Sequence, residues 1–268
     1  MLDKINIEYI NSALNLYNIS ATVYSSLEST NDTAKKQALL GAKDGTLVIA
    51  EQQTGGKGRL GRSFYSPDES GIYFSLILND KSSLEKCELV TTVAAIAVCK
   101  AIETITDKTP KIKWVNDIFI DSKKVCGILS EASFSGESSL DFIVLGIGIN
   151  LYPPKNDFPS DIKNIAGAVL DSQQNNIKNQ FIIEIIKNFY DILNSKSISF
   201  IKEYEKRMLL IGKSITYNQN GETKTAKVLG IDDRCRLKII KPDGNTDLLF
   251  SGEITTGSEQ IFSANQNK

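Results

Sequence analysis

Three strand-like segments follow one another between residues 112 and 151, and they constrain the fold more than any other part of the chain. Residues 112–120 and 125–132 are joined by a polar turn at 121–124, which is typical of a hairpin. Residues 140–151 are apolar almost throughout, so we predict that this strand is buried on both faces at the centre of its sheet. The chain must therefore build a sheet from strands that are close in sequence.

Helical patterns are set apart from these strands. We predict further strands at residues 22–27, 47–50 and 71–78, and helices at residues 3–17, 34–42, 84–105, 161–170, 176–194 and 199–210. Clustered strands with separate long helices favour an α+β fold, a mixed β-sheet flanked by helices, over a regular alternation of strands and helices.

The sequence changes character after Gly212. Short strand patterns at 214–217, 223–231, 237–240 and 247–252 alternate with the hairpin turns Asn220-Gly221 and Asp243-Gly244. We therefore predict two domains. Residues 1–211 form the larger α+β domain, and residues 212–268 form a small C-terminal β-barrel.

Composition excludes several kinds of chemistry. The chain of 268 residues has no histidine, which removes the commonest general base, the usual zinc ligand and every Ser-His-Asp mechanism. Its 31 Lys and Arg residues nearly balance its 32 Asp and Glu residues, so no global field attracts nucleic acid or acidic membranes. The four cysteines form no C-x-x-C pair, and neither a signal peptide nor a membrane span is evident. We expect a cytoplasmic protein without a membrane partner.

A basic, glycine-rich segment lies between two predicted strands. Residues 52–67 contain Lys57, Arg59 and Arg62, four glycines and no acidic residue. Glycines permit positive φ and a close approach of the backbone to a ligand, while successive N–H groups and basic side chains together bind an anion such as a phosphate. The spacing is not that of a P-loop, and a flexible, solvated basic loop is the alternative.

The run Lys113-Trp114-Val115-Asn116-Asp117 contains the only tryptophan of the chain. A strand that ends here can place an aromatic wall and a carboxylate beside a pocket. An aspartate can hold Mg²⁺ when substrate phosphates supply other oxygens. The alternative is a core tryptophan next to a turn.

Two further segments point to the same kind of site. Lys124 opens a predicted strand, where it can reach a carboxylate or phosphate, and Gly127 leaves room for a ligand. Gly146 and Gly148 lie at alternate positions of their strand and clear one face of the sheet, as if something flat lies there. A hairpin with solvated lysines and tight sheet packing are the structural alternatives.

These segments, in this order, resemble the bacterial biotin protein ligases. The resemblance covers about residues 20–257 and includes Ser29-Thr30-Asn31, the basic segment, the tryptophan run, Lys124-x-x-Gly127, Gly146-x-Gly148-x-Asn150 and Gly252-Glu253-Ile254. It implies a class II aminoacyl-tRNA-synthetase-like catalytic domain and an SH3-like C-terminal β-barrel. It also implies an enzyme that joins biotin to ATP as biotinyl-5′-AMP and then transfers biotin to a lysine of a biotin carboxyl carrier protein domain of a carboxylase.

The resemblance implies roles for individual residues. For biotin binding these are Ser29, Thr30, Asn31, Gln53, Gly56, Lys57, Gly58, Arg59, Lys124, Gly127, Gly146 and Gly148. For ATP binding these are Arg59, Arg62, Phe64, Trp114, Asn116, Asp117 and Asn150, with Asp117 also holding Mg²⁺. Lys124 and Arg59 are the expected catalytic residues, because a carboxylate that attacks a phosphate brings two negative charges together. No residue is assigned as the base for the acceptor lysine.

The chain departs from the family pattern at three positions. Val115 replaces a usual proline, Lys57 replaces a usual arginine, and Leu60 replaces a common arginine. We expect changed details rather than lost activity. Some relatives carry a winged-helix DNA-binding domain before the Ser-Thr-Asn motif, but only 28 residues precede Ser29 here, so we expect a ligase without that domain and without a DNA partner. Both a monomer and a homodimer fit the sequence.

Three other functions are alternatives to this one. Lipoate-protein ligases share the fold and the adenylation chemistry, but they typically carry a histidine after their arginine- and glycine-rich motif, and this chain has none. A non-catalytic biotin-binding relative is disfavoured by the presence of Lys124 and Asp117. A nucleic-acid-binding protein is disfavoured by the balanced charge of the C-terminal region.

Overall fold

The computed structural model describes residues 3–79, 89–135, 139–195, 199–219, 221–250 and 254–256. The helices are α1 (Ile7–Ala13), α2 (Thr30–Leu39), α3 (Val90–Ile105), α4 (Ile177–Leu193) and α5 (Ser199–Arg207). The strands are β1 (Ser20–Tyr24), β2 (Thr46–Ala50), β3 (Gly71–Leu78), β4 (Lys111–Lys113), β5 (Asp117–Ile120), β6 (Lys123–Ser135), β7 (Ser139–Asn150), β8 (Ser214–Gln219), β9 (Glu222–Ile231), β10 (Leu237–Ile240), β11 (Thr246–Leu249) and β12 (Ile254–Thr256).

The larger sheet has seven strands in the order β1-β2-β3-β7-β6-β5-β4. β1 and β2 are parallel and are connected through α2, whereas every other pair is antiparallel. The sheet is therefore mixed, as predicted. β7 is the fourth of the seven strands, which confirms the central position expected from its apolar sequence.

The two faces of this sheet are covered differently. On one face, α3 and α4 pack over alternate apolar side chains such as Phe74 of β3 and Ile147 of β7, and this forms the main core. On the opposite face, α2 covers only one part, where Ala34 packs against Val48 and Val144. The remainder of that second face holds the candidate site.

The C-terminal region forms a five-stranded antiparallel sheet in the order β11-β10-β9-β8-β12. The predicted turn at Asp243-Gly244 connects β10 and β11, and Gly244 has φ +85°, a conformation that glycine adopts without steric cost. Asn220, Gly252 and Glu253, which we also singled out, lie outside the described residues. The domain boundary at 211/212 stays a prediction.

Two sequence predictions were wrong. Residues 112–120 form two antiparallel strands, β4 and β5, with Trp114-Val115-Asn116 as the turn between them and a cis peptide between Trp114 and Val115. The residues on both sides of this turn favour strands and no glycine or proline marks it, so the sequence pattern predicts a single strand. Residues 161–170 form successive turns rather than a helix, because Pro153-Pro154 and Pro159 shape an irregular segment in which only single turns close. The predicted helix at 84–105 is described from Val90 onward, and its start and Cys87 lie outside the described residues.

Candidate active site

Strand register places the site residues in two rows across the uncovered part of the sheet. The first row consists of Tyr73, Gly148, Gly127 and Asp117, paired from β3 through β7 and β6 to β5. The second row consists of Ser75, Gly146 and Leu129. Residues paired across neighbouring strands point to the same face. The three glycines therefore clear the same face, as predicted.

The basic segment folds over these rows as a hairpin, which we call the flap (residues 54–66). Its two sides pair at Lys57–Ser63, and its end at Ser66 pairs with Gln53, the residue before the flap. Its tip is a short 3₁₀ turn at Arg59–Gly61, in which Gly61 has φ +76° and Leu60 has φ +56°. Gly56 is required for space rather than for a positive φ, because an added Cβ would clash with the Phe64 carbonyl oxygen. Of the flap glycines only Gly61 has a positive φ, and the flap is a paired hairpin with an exposed tip rather than an unpaired loop.

Two adjoining cavities lie between the flap and the sheet. The larger has a volume of about 160 Å³ and is lined by Lys57, Gly58, Arg59, Leu60, Arg62, Ser63, Phe64, Lys113, Trp114, Asn116, Asp117, Lys124, Gly127, Ile128, Leu129 and Ile254. The smaller, of about 30 Å³, is lined by Ser29, Thr30, Asn31, Gln53, Lys57, Phe64, Gly127, Leu129, Gly146, Ile147 and Gly148. Lys57, Phe64, Gly127 and Leu129 line both cavities, which makes them two ends of one site. We call the larger one the charged end and the smaller one the buried end.

Opposite charges meet at the charged end. The Lys124 ammonium lies 2.7 Å from Asp117 Oδ1. The Arg59 guanidinium donates a hydrogen bond of 3.0 Å to Asn116 Oδ1, although the two residues are 57 positions apart. The Asn116 amide nitrogen in turn donates to Asp117 Oδ1 and to the Ile128 carbonyl, both at 3.0 Å. The flap, the β4–β5 turn and β6 therefore bring two cations and one carboxylate into the same cavity.

Neutral hydrogen bonds dominate the buried end. Ser29 caps α2 by accepting a hydrogen bond from the Asp32 N–H, which places Thr30 and Asn31 in the first turn. Gln53 Oε1 accepts hydrogen bonds from the Thr30 N–H at 2.8 Å and from its hydroxyl at 3.0 Å. The Gln53 amide nitrogen donates to Ser66 Oγ at 2.9 Å, so Gln53 joins the flap to the first turn of α2.

The aromatic ring of Phe64 lies directly on the glycines of the first row. A Cβ added to Gly148 would approach that ring to 2.6 Å, and one added to Gly127 would approach it to 3.1 Å. At Gly146 an added Cβ would lie 2.0 Å from Asn31 Oδ1. The flat group over the cleared face is thus Phe64, which lies where the two ends of the site meet.

Other basic and aromatic residues of the site have partners of their own. Lys57 pairs with Asp32 at 2.6 Å, and this hydrogen bond raises the pKa of the lysine. The Trp114 indole is buried and donates to the Cys235 carbonyl at 2.9 Å, while Ile254 lines the charged end. The C-terminal sheet therefore borders the site.

The structure brings together nearly every residue that we had singled out. Two predicted residues line neither cavity: Asn150 lies at the end of β7 next to Gly71, and Gly56 lies inside the flap against the Phe64 carbonyl. Sequence reasoning also missed two residues, Ser75 and Glu131, which contact Asn31. The one available signal for Ser75 was a hydroxyl residue inside the otherwise apolar run 72–78.

Similarity to known proteins defines a ligase whose candidate active site lies on one face of a mixed sheet. A family model described as the biotin/lipoate A/B protein ligase family matches residues 23–150, and one described as the biotin protein ligase C-terminal domain matches residues 210–265. The chain is 34% identical to the bifunctional ligase/repressor BirA of Bacillus subtilis over 236 residues, which are 86% of this chain and 72% of that protein. The chain belongs to the biotin protein ligase family and is an enzyme.

Two further relatives support this assignment. The biotin--[acetyl-CoA-carboxylase] ligase of Mycobacterium tuberculosis is 25% identical over 233 residues, covering 84% of this chain and 85% of that protein. The solved structure of the biotin protein ligase from Aquifex aeolicus in complex with biotin and ATP has a TM-score of 0.74 and 28% identity, covering 88% of this chain and 97% of that chain. The match to a biotin-ligase C-terminal domain does not favour the lipoate alternative. Among the described residues, every helix is too short or too polar to cross a membrane.

Proposed function

We propose that this chain joins biotin to ATP as biotinyl-5′-AMP, releases pyrophosphate and transfers biotin to a lysine of a biotin carboxyl carrier protein domain. The observation that carries the proposal is the continuity of the two ends of the site, which share Phe64 and Gly127. A ligand whose ring occupies the buried end directs its carboxylate toward Lys124 and Arg59. The relatives named above, one solved with biotin and ATP and one named for acetyl-CoA-carboxylase, support this substrate set.

The chemical difficulty of the first step is charge repulsion. Two unit charges 4 Å apart repel by about 4 kcal/mol at an effective dielectric constant near 20. When the biotin carboxylate attacks the α-phosphate, the cations of Lys124 and Arg59 offset this repulsion, and they stabilise the additional charge of the transition state. No histidine is required for this step, because the attacking carboxylate carries no proton.

Asp117 is the residue that would hold Mg²⁺. In the described part of the chain, no three acidic or cysteine side chains gather as metal ligands, so the metal would take its other oxygens from the phosphates of ATP and from water. When bound, Mg²⁺ would neutralise phosphate charge. Asp117 is paired with Lys124 in the structure, so it must share or exchange that partner when ATP binds.

The flap protects the mixed anhydride from water. Arg59 connects the flap to Asn116 across the charged end, and Lys57 connects it to Asp32 beside the buried end. These two contacts hold the flap over the ligand from both sides. The acceptor lysine then attacks the biotinyl carbonyl, and AMP leaves.

A pyrophosphate-exchange assay tests the proposal. We expect exchange with biotin and ATP, little or no exchange with lipoate, and transfer of biotin to a carrier domain in a second assay. Exchange with lipoate alone would refute the assignment of substrate. Binding of biotin without any exchange would instead identify a non-catalytic relative.

We also propose that the reaction takes place in the cytosol. The three described cysteines, Cys99, Cys126 and Cys235, are buried and unpaired, as expected in a reducing compartment. Burial raises the pKa of Cys126 well above its ordinary value, so this thiol stays protonated and unreactive.

A further inference from the structure

Lys113 is a cation of the charged end that the proposed reaction does not use. It lies in β4 and pairs with Asp117 of β5, which in turn pairs with Gly127 of β6. Lys113 therefore continues the first row by one strand. Its side chain lines the charged end and not the buried end, so the row finishes in a lysine at the edge of the seven-stranded sheet.

The first row has a direction, because the glycines and the charged side chains lie at different points along it. Gly148 and Gly127 line the buried end. Asp117 and Lys113 line only the charged end. An added Cβ at Gly127 would lie 3.5 Å from Lys124 Cε, and the Lys124 ammonium lies 2.7 Å from Asp117 Oδ1. Lys124 thus lies between the two parts, and Lys113 lies beyond it as seen from the buried end.

The first step of the reaction has a direction as well. A carboxylate oxygen of biotin bonds to the α-phosphorus, the bond from that phosphorus to the bridging oxygen breaks, and pyrophosphate leaves with the electron pair. No proton moves, and the attacking and leaving oxygens lie roughly in line. A carboxylate that arrives from the buried end therefore directs the leaving group to the opposite side. Lys113 lies on that side, two strand spacings or about 10 Å beyond Gly127.

We propose that Lys113 binds the pyrophosphate that leaves in the first step and holds the β- and γ-phosphates of ATP before that step. This inference rests on the proposed function, because only adenylate formation produces a leaving pyrophosphate. An ammonium group is a compact charge with three donors that can rotate, so it can follow phosphate oxygens as the bond breaks. Negative charge grows on the leaving group in the transition state, and a cation already in place stabilises it.

Two ligands test the inference at equilibrium without catalysis. One is ATP, supplied together with the alcohol analogue of biotin, in which CH₂OH replaces the carboxylate so that no adenylate forms. The other is biotinyl-5′-AMP, which contains the α-phosphate but no pyrophosphate. We expect Lys113→Met to raise the Kd of ATP about 10-fold, the effect of one charge-assisted hydrogen bond, and to change the Kd of biotinyl-5′-AMP by less than about 2-fold.

The two half-reactions give the corresponding kinetic test. In pyrophosphate exchange, Lys113→Met should raise the KM for pyrophosphate about 10-fold. Transfer of biotin from added biotinyl-5′-AMP to a carrier domain involves no pyrophosphate, so its rate should equal that of the wild type. A change in the exchange reaction alone is the result that a merely structural role would not produce.

Two further variants serve as controls. Lys113→Arg keeps the positive charge, so its Kd for ATP should stay within about 3-fold of the wild-type value. Lys111→Met removes the other lysine of β4, which pairs with Phe119 and lines neither cavity. This variant should bind both ligands as the wild type does.

The outcomes separate this inference from the proposed function. Unchanged affinity for ATP in Lys113→Met would overturn the inference, and so would an equal loss of affinity for ATP and biotinyl-5′-AMP. A loss in Lys113→Arg as large as that in Lys113→Met would also overturn it, because the charge would then be irrelevant. If the binding results are as expected but the wild-type chain performs no exchange, the phosphate site is supported and the proposed enzyme activity is refuted.

Discussion

At the buried end of the site, Thr30 and Asn31 are 4% and 5% exposed and, apart from the bond that Asn31 donates to Glu131, their hydrogen bonds join neutral groups, whereas at the charged end the side chains of Lys124 and Asp117 are 29% and 22% exposed. A buried polar group that loses its partner costs about 1–3 kcal/mol. A partly exposed ion pair contributes only about 0.2–1 kcal/mol, because water screens it. The buried end therefore keeps its geometry, while the charged end can exchange partners when a ligand arrives.

The largest expected effect comes from removing a cation of the charged end. Lys124→Ala should lower biotin-dependent pyrophosphate exchange by about 100- to 1000-fold, because a preorganised charge beside the reacting phosphate is lost. Lys123→Ala is the control, since that neighbouring lysine contacts the carbonyls of Lys163 and Asn164 outside the site. An exchange rate that stays unaltered in Lys124→Ala would show that the charged end does not perform the chemistry.

The boundary between the two ends should be sensitive to added volume. Gly148→Ala should lower the free energy of unfolding by about 1–3 kcal/mol, because the new Cβ would clash with the Phe64 ring. Denaturant unfolding measures this loss. In the double variant with Phe64→Ala, the loss should be smaller than the sum of the two single losses. If the two losses of unfolding free energy simply add, Gly148 is required for a reason other than its contact with the Phe64 ring.

Arg59→Ala should weaken the closure of the flap. The variant loses the hydrogen bond to Asn116, so we expect it to release biotinyl-5′-AMP about 10-fold faster, the effect of one charge-assisted hydrogen bond. A filter-binding or gel-filtration assay of the retained adenylate measures this rate. Lys35→Ala, an exposed residue of α2, should retain the adenylate normally. Equal retention in both variants would contradict the role of Arg59.

The smallest effect should come from the exposed ion pair beside the flap. Asp32→Asn removes the partner of Lys57, whose side chain is 46% exposed, so the free energy of unfolding should change by less than about 0.5 kcal/mol. The raised pKa of Lys57 means that any contribution is present at neutral pH and is lost as the pH rises through the pKa of the lysine. Thermal unfolding at pH 7 at low and high salt measures it. A loss of several kcal/mol would show that losing this ion pair costs as much as losing a buried hydrogen bond, contrary to the small cost expected for an exposed pair.

The two ends also differed in how far the sequence could predict them. Clustered charges and glycines mark the flap, and the run from Lys113 to Asp117 marks the facing wall, so the charged side chains that line the charged end all lie in segments that the sequence singled out, whereas Ser63, Ile128 and Leu129 do not stand out in it. The pairing of Arg59 with Asn116 could not be predicted, since it depends on how a hairpin folds across 57 residues of chain. Ser75 and Glu131 were missed because their importance comes from contacts with Asn31, to which no local pattern points.

The fold also has parts that the local sequence predicts and parts that it does not. The central position of β7 could be predicted, because burial on both faces demands an apolar strand. The turn at Trp114-Val115-Asn116 could not, since its residues favour strands and the chain reverses there for tertiary reasons. The Phe64 ring was expected near a nucleotide, and no pattern in the sequence indicated that it would lie on the glycines of the neighbouring strands.

The hydrogen bond from Trp114 to the Cys235 carbonyl has a practical consequence. Since the chain contains a single tryptophan, its tryptophan emission comes from one indole that lines the charged end and contacts the connection between β9 and β10. A nucleotide that stacks beside this indole should quench the emission, whereas separation of the two sheets should shift it toward longer wavelength as water reaches the ring. One native fluorophore can therefore distinguish ligand occupancy from separation of the two sheets without any label.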